Sequence, residues 1–307
     1  MGKLMIVYNP KSGKQNFINK LSLVMERVKP YFHDIFVYAT EYPNHATELS
    51  EKACEDNFDM LIIVGGDGTF NECVNGLMKY DKRPKIGYIP AGTCCDIGMS
   101  LGLSKNVKKS LNIIFSGTPV KMDVVKTNDR YSCYVTASGA FVDISYVTDS
   151  KLKKKIGYLA YVVKAFEEVF TIPKMKMTVF NNDREYKGIY SLIMIINSKR
   201  VAGINMIYKP SLDDGLVDIV LYKNIYPFNF ILYALAFIFP FWSTPLVTRF
   251  KTNRVEIKTD SKASWNIDGE YGGKGNQIIE VSIQAIEIVI PNKIMKRYFK
   301  NQWDIIK

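Results

Sequence analysis

Leu61-Ile-Ile-Val-Gly-Gly-Asp-Gly-Thr-Phe-Asn-Glu72 decides how this chain is read. An apolar run stops at two glycines, then come an acid, a third glycine, a threonine and an Asn-Glu pair. The run predicts a buried strand, and the residues after it predict a helix with Asn71 and Glu72 in its first turns. A turn of this kind leaves backbone N–H groups bare at a helix N-terminus, which suits a phosphate. Gly65, Gly66 and Gly68 let the backbone approach an anion with no Cβ in the way. Asp67 repels phosphate unless a cation lies between them, so the stretch points to a metal-bound nucleotide. The plain alternative is an ordinary strand–turn–helix corner, which three glycines around an acid argue against.

Composition narrows the setting. At 307 residues and 47% hydrophobic, the chain is long enough for two domains with cores of their own. Met1-Gly-Lys leads directly into Leu4-Met-Ile-Val7 and then Asn9-Pro10, which predicts a first strand and not a secretory leader. Gly2 lacks the Ser or Thr that myristoylation needs further on. Five cysteines without metal-ligand spacing fit reduced thiols, and two histidines leave little material for a His-based site. The expected location is the cytoplasm, at the inner face of a membrane. A net charge of +11 implies an anionic partner: a nucleotide, a nucleic acid or an acidic membrane surface. Basic clusters lie at Lys151–Lys155 and Lys293–Lys300. No RNA-type aromatic motif accompanies them, so nucleic acid is not expected.

The first third alternates strand and helix. Strands are predicted at Leu4–Tyr8, Asp34–Thr40, Met60–Val64 and Lys85–Ile89, with helices at Asn16–Lys29, Ala46–Asp56 and Asn71–Met78. That order predicts a doubly wound, mostly parallel sheet, with its glycine-rich turns at the strand C-terminal ends where such sheets bind ligands. From about Lys121 the pattern becomes β-rich: Met122–Lys126, Tyr131–Ala137, Met175–Asn181, Gly188–Asn197, Leu216–Tyr222, Arg254–Thr259 and Ile278–Ile290. A helix at Ile156–Phe170 is the chief interruption. The fold class is therefore α/β plus β: residues 1–121 an α/β nucleotide-binding domain, residues 122–291 a β-sandwich, with the helical tail 292–307 packing back on the first domain.

One stretch stands apart. No charged residue occurs from Asn224 to Thr248, and Phe228–Phe239 is apolar almost throughout. Pro227, Pro240 and Pro245 limit a continuous helix to about twelve residues, ~18 Å at ~1.5 Å per residue, against a hydrocarbon core of ~30 Å. A buried core helix or a lipid-contacting one is expected before a spanning one, and Lys223 and Arg249 flank it as at a lipid interface.

The turns now converge. Asn9-Pro-Lys-Ser-Gly13 follows the first strand, Gly65-Gly-Asp-Gly-Thr69 with Asn71-Glu72 the third, and Pro90-Ala-Gly-Thr93 the fourth; Asp268-Gly-Glu270 comes far downstream. In order and spacing this set resembles the diacylglycerol kinase catalytic-domain family, in particular the bacterial soluble lipid kinases of the YegS/BmrU type. The resemblance spans essentially the whole chain and extends to Pro210-Ser-Leu-Asp-Asp-Gly-Leu-Val-Asp218. It implies a nucleotide domain and a β-sandwich with the active site in the interdomain cleft. It implies that Asn9, Ser12, Gly13, Thr40, Gly65, Gly66, Asp67, Gly68, Thr69, Asn71, Glu72, Gly92 and Thr93 lie along ATP. Glu270 would be the catalytic base, with Asp67 acting on the phosphates through Mg²⁺. Ser211, Asp214 and Leu216 would hold a structural magnesium, Ser211 and Leu216 through backbone carbonyls.

The residue chemistry fits phosphoryl transfer, which needs a hydroxyl, a proton acceptor and a cation. Both Asp268-Gly269 and Asp213-Asp-Gly215 also read as plain turns. The sequence departs from the family after Thr93, where Cys94-Cys95-Asp96 stands in place of a run containing Asn-Asp, with Cys95 at the Asn position. A thiol hydrogen-bonds poorly, and Cys95 reads as either a thiol-sensitive residue or a buried inert one. The resemblance implies a lipid kinase acting on diacylglycerol at an anionic membrane surface. Two alternatives stay open: a soluble-metabolite kinase such as an NAD kinase, and a homologue that binds lipid or nucleotide without catalysis. An apolar edge or the Asn224–Thr248 stretch would also support a homodimer.

Overall fold

The computed structural model describes residues 2–13, 17–140, 174–182, 184–205, 210–238, 244–260 and 264–302, without the side chains at 230, 234, 237 and 238. The expected helix Ile156–Phe170 and the Lys151–Lys155 cluster lie outside them. The chain divides into two compact units: Met1–Val124 with Ser211–Asp214 and Ile283–Lys307, and Val125–Pro210 with Gly215–Ser282.

In the first unit β1 (Gly2–Tyr8), β2 (Phe32–Ala39), β3 (Met60–Gly65) and β4 (Lys85–Pro90) form a parallel sheet in the order β2-β1-β3-β4. Register pairs Ile6 with both Val37 and Ile62. Every residue of β3 is buried, as a central parallel strand with both faces covered requires. Helices α1 (Leu21–Val28), α2 (His45–Glu55), α3 (Asp67–Leu77), α4 (Asp96–Ser100) and α5 (Val107–Ser116) connect the strands. Leu4, Ile6, Ile62, Val64 and Ile89 pack with Val24, Val28, Leu111 and Ile114 from the helices. Strand order reverses between β1 and β3, the switch point at which open α/β sheets take ligands.

The predicted helices shift where local chemistry decides. The helix after β3 starts at Asp67, four residues before the expected Asn71: Gly66 sits extended at φ −87° as N-cap, and an acid occupies the first turn, where the helix dipole favours it. Asn16–Lys29 resolves into a short 3-10 turn, Phe17–Lys20, and α1. Helices α4 and α5 were not expected; the Asn106 side chain caps α5 by accepting from Lys109 N at 3.1 Å.

Among the described residues, the strand pairings of the second unit are antiparallel. Its strands are the end of β5 (Thr118–Thr127), β6 (Arg130–Ser132), β7 (Val135–Gly139), β8 (Met175–Asn181), β9 (Arg184–Ile196), β10 (Arg200–Val201), β11 (Ile204–Asn205) and β12 (Val217–Lys223). After helix α6 (Asn229–Ile238) come β13 (Val247–Thr252), β14 (Arg254–Thr259), β15 (Ser264–Ile267), β16 (Glu270–Lys274) and the first half of β17 (Gln277–Ile290). Long β9 takes β8 along its first half and β7 along its second, while β12 pairs with it and with β13. Trp265, Val255, Ile257, Ile279, Ile193 and Ile219 are core. The single strand expected at Tyr131–Ala137 is two, broken at Cys133–Tyr134 because those backbone N–H groups turn to a buried carboxylate.

Three segments assigned by sequence to the second domain, 122–124, 211–214 and 283–291, pack with the first unit. Residues 283–290 of β17 enter its sheet, where Ile288 pairs with Ile86 and the Ala285 carbonyl accepts from Arg83 Nη1 at 2.8 Å. The turn Ser211–Asp214 is held by its backbone: Leu212 N donates to Tyr298 O, and Asp123 N donates to Leu212 O, both at 2.8 Å. Tyr298 ends the C-terminal helix Asn292–Tyr298. Among the described residues no helix is long and apolar enough to cross a membrane.

Helices α2 and α3 touch through Gly76, where a Cβ would collide with the Thr47 carbonyl. Gly76→Ala is expected to lower stability by about 1–3 kcal/mol despite its better helix propensity. The midpoint of urea unfolding measures this; an unchanged or raised midpoint contradicts the packing.

Candidate active site

In the first unit the predicted residues gather at the C-terminal ends of β1, β3 and β4. Asn9 N donates to Val64 O at 2.9 Å, and its side-chain Nδ2 donates to Thr69 Oγ1 at 3.2 Å. Asn9 thus spans the switch point by backbone and side chain. Its Oδ1 accepts from Lys11 N at 2.8 Å, and Ser12 N donates to Asn9 O at 3.1 Å, which folds the loop down to Gly13. Gly13 has φ +67°, the left-handed region that glycine takes freely. Thr40 N donates to Tyr8 O at 2.9 Å, so Thr40 closes the edge after β2.

The two glycine turns touch each other. Ala91 N donates to Gly65 O at 2.7 Å. A Cβ on Gly92 would lie 2.6 Å from the Gly66 Cα, so Gly92 must be glycine for this approach. Gly66, the N-cap of α3, brings no capping side chain. Gly66, Asp67 and Gly68 are half-buried and Thr93 is exposed. The Thr93 carbonyl accepts from Lys105 Nζ, a residue the sequence did not single out.

Two of the predicted acids have backbone partners. Asp67 accepts from Asp96 N at 3.0 Å and from Ile97 N at 3.1 Å, one bond on each oxygen. It holds the start of α4. Glu72 points to the start of α2: its Oε2 accepts from Ala46 N at 3.3 Å, and its carbonyl accepts from Thr47 Oγ1 at 3.0 Å. Burial raises the Glu72 carboxyl, against the pull of the backbone donors of Asn44 and Ala46. Asn71 is buried and accepts from Asn75 Nδ2 at 3.0 Å. Glu72 and Asn71 therefore brace helices, while Asn9, Thr69 and the glycines form the loop cluster.

Cys95 is buried at φ +55°. Burial pushes its thiol up to about 12, and the neighbouring Asp67 charge adds to the rise. In the Ser211–Asp214 turn the buried acid is Asp213, which sequence reasoning passed over. It accepts from Ser211 Oγ at 3.1 Å and from Gln302 N at 3.0 Å. Asp214 and Leu216 are half-buried.

In the second unit, Ile267 and Glu270 pair across Asp268-Gly269. Both turn residues have positive φ, +52° and +90°, as a two-residue type I′ hairpin requires. Buried Asp268 is the anchor. It accepts from Ser132 Oγ at 2.9 Å, Cys133 N at 2.6 Å, and Tyr134 N and Val135 N at 3.0 Å each. Burial raises its carboxyl while these four donors pull the other way. Gly269 N donates to Asn266 Oδ1 at 2.8 Å. The hairpin leaves Glu270 half-exposed, with Oε2 3.5 Å from Arg130 Nη2. Arg130 Nη1 also donates to Tyr271 O at 2.6 Å, so one guanidinium ties the strand and faces the carboxylate. No motif marked Arg130; a lone arginine about 140 residues upstream carries no local signal.

A parallel sheet with glycine turns at its switch point and an antiparallel sandwich-like unit are the two parts of a diacylglycerol kinase-like fold. Residues 3–127 match the diacylglycerol kinase catalytic domain, and residues 134–290 match the YegS C-terminal NAD kinase beta sandwich-like domain. The chain belongs to the diacylglycerol kinase catalytic-domain family. It is 33% identical to a diacylglycerol kinase of Staphylococcus carnosus (strain TM300), over 94% of this chain and 95% of that protein. It is 32% identical to one from Staphylococcus aureus (strain MRSA252), over 96% and 95%. Its fold is similar to a crystal structure of a diacylglycerol kinase from Bacillus anthracis str. Sterne, with TM-score 0.76 at 22% identity, covering 95% of this chain and 98% of that one.

This geometry has two testable outcomes. Asp268→Ala leaves buried donors without an acceptor and is expected to destabilise the protein by about 3–5 kcal/mol, with Asp268→Asn losing less; urea unfolding of both variants measures it. With iodoacetamide at a pH of about 8, half-buried Cys94 should react first, because the buried thiols of Cys73 and Cys95 are pushed up to about 12 and hold almost no thiolate. Peptide mass mapping reads the order; early labelling of Cys95 contradicts its burial.

Proposed function

We infer that this kinase transfers the γ-phosphoryl group of ATP to a lipid hydroxyl, with diacylglycerol as substrate and phosphatidic acid as product. The observation that carries the nucleotide half is the Gly66–Gly92 approach at the start of α3, whose N-cap is a glycine. N–H groups at a helix start donate to phosphate oxygens, and a backbone without Cβ atoms lets those oxygens come close. Asn9, Ser12, Gly13, Thr40, Gly65, Gly68, Thr69 and Thr93 would border the nucleotide. Lys105, bound to the Thr93 carbonyl, brings positive charge to the same loop. Asn71 and Glu72 would act from behind, by holding α2 and α3 in place.

Glu270 would take the proton from the lipid hydroxyl as it attacks the γ-phosphorus. It is half-exposed, whereas Asp268 beside it is committed to four donors. Arg130 would orient the Glu270 carboxylate. Magnesium fits the oxygen chemistry of these residues: Asp67 offers carboxylate oxygens, and Ser211, Asp214 and Leu216 offer hard carbonyl and carboxylate oxygens. Asp67 would hold one ion by the nucleotide phosphates, and Ser211, Asp214 and Leu216 a structural one. When bound, the ion at the phosphates offsets their charge.

The test is transfer of label from γ-³²P-ATP to diacylglycerol in mixed micelles. Glu270→Gln is expected to lower kcat by about 10²–10⁴-fold, the range for loss of a general base, with nucleotide affinity kept. Labelling of NAD⁺ with none in any lipid would favour a metabolite kinase. Nucleotide binding with no transfer to any acceptor would favour a non-catalytic homologue. Full activity of the variant would remove Glu270 from the mechanism.

A further inference from the structure

The charge-free stretch is not consumed by the core. In α6, Leu232 and Ala236 are buried, but Ile231 is 54% exposed, and just ahead of the helix Tyr226 and Phe228 are 55% and 60% exposed. Phe228, Ile231 and Leu246 border an open hollow of about 390 Å³ whose lining is almost wholly apolar, with Leu235 at its side. This face is held in shape. Buried Asn229 accepts from Ile225 N at 2.8 Å at the start of the helix, and Arg249 Nη2 donates to Ala236 O at 3.1 Å near its end. A rigid segment that turns one apolar side inward and keeps a second outward has a use for the second.

The side chains nearest to it supply positive charge. Asn224 N donates to Ile189 O at 2.9 Å, which sets the segment beside β9, and Lys174 Nζ lies 5.6 Å from the Tyr226 ring centre. Across the β8–β9 pair Lys176 opposes exposed Ile189, and Lys187 opposes Thr178. Buried Met175, Met177 and Tyr190 take the other face, so Lys174, Lys176, Lys187 and Ile189 stand outward together. The acids of this face lie toward its far end: Glu185 and Glu256 oppose Phe180, Lys258 pairs with Glu256 at 3.4 Å, and Arg254 pairs with Glu280 at 2.6 Å.

We propose that this face, Tyr226, Phe228, Ile231 and Leu246 with the lysines 174, 176 and 187, docks the protein on an anionic lipid bilayer, the apolar side chains entering the interface and the lysines meeting the headgroups. Aromatic and aliphatic side chains beside lysines are what an in-plane membrane segment uses. Helix α6 has ten residues, enough to lie in an interface and not to cross it. A second copy of the chain fits the face less well, since a two-fold contact sets its lysines against one another. The proposal rests on the lipid-kinase reading only for its purpose: docking would bring the enzyme to a substrate that stays in the membrane.

The test is sedimentation of the full chain with vesicles of phosphatidylglycerol and phosphatidylcholine, against phosphatidylcholine alone, without ATP. Wild type should partition onto the anionic vesicles. The double variants Phe228→Ser/Ile231→Ser and Lys174→Glu/Lys176→Glu should each partition at least about tenfold less. Phe228→Trp should be quenched by brominated acyl chains beyond the native tryptophans. Circular dichroism and phosphorylation of micellar lipid check that the variants are folded. Unchanged partition of either double variant, or wild type binding both vesicles alike, overturns the proposal. A concentration-dependent dimer that the serine variants abolish, with vesicle binding intact, overturns it in favour of a second copy. Docking without phosphorylation of any lipid sinks only the substrate reading, and phosphorylation with unaltered docking in the variants sinks only this one.

Discussion

At the end of β3 a fully buried strand must become a helix within two residues, and much of the first unit is built around that demand. Both faces of β3 are covered, so the chain can leave only along the strand axis. Gly66 makes the exit extended, and Gly92 from the next turn lies against it, backbone to backbone. Any side chain at Gly92 would push the two turns apart, and the Ala91–Gly65 hydrogen bond would have to stretch with it. The start of α3 is thereby fixed relative to β1 and β4. The Asn9 side chain completes the arrangement by reaching Thr69 from across the switch point.

The acids of the motifs divide by what their oxygens touch. Asp67, Glu72, Asp213 and Asp268 accept from backbone N–H groups of distant segments. Such bonds are charge-assisted and hold a turn or a helix start that would otherwise leave donors unpaired. Glu270 is different: it faces the guanidinium of Arg130 and remains half-exposed. The short Asp-Gly hairpin makes both outcomes from neighbouring residues. Positive φ at two successive positions turns Asp268 inward to its four donors and leaves Glu270 at the mouth of the next strand. The structural acid and the proposed chemical one depend on the same turn.

In the second unit, Asn229 and Arg249 commit polar groups to backbone atoms within the apolar segment. The segment is therefore folded without needing its outer side chains buried. Aromatic and aliphatic groups are left facing out beside a lysine row. Exposing them is costly in water, and an apolar phase would reverse that cost.

The sequence alone determined the alternation of strands and helices, the glycine turns at the strand ends and the family to which they belong. These are local signals: apolar runs fix buried strands, and glycine spacing fixes tight turns. It also marked Asp268-Gly269 as a hairpin. It placed the helix after β3 four residues late, because the extended Gly66 that starts it carries no side-chain cap to read. It read one strand through Cys133–Tyr134, because the break comes from a carboxylate 135 residues away. It did not show that residues 211–214 and 283–290 pack with the first unit, because pairing with Tyr298 and Ile86 is set by long-range backbone hydrogen bonds. Which acids brace helices, which one is presented, and that Arg130 stands beside it were decided only by tertiary structure, since a carboxylate's role depends on the donors that reach it.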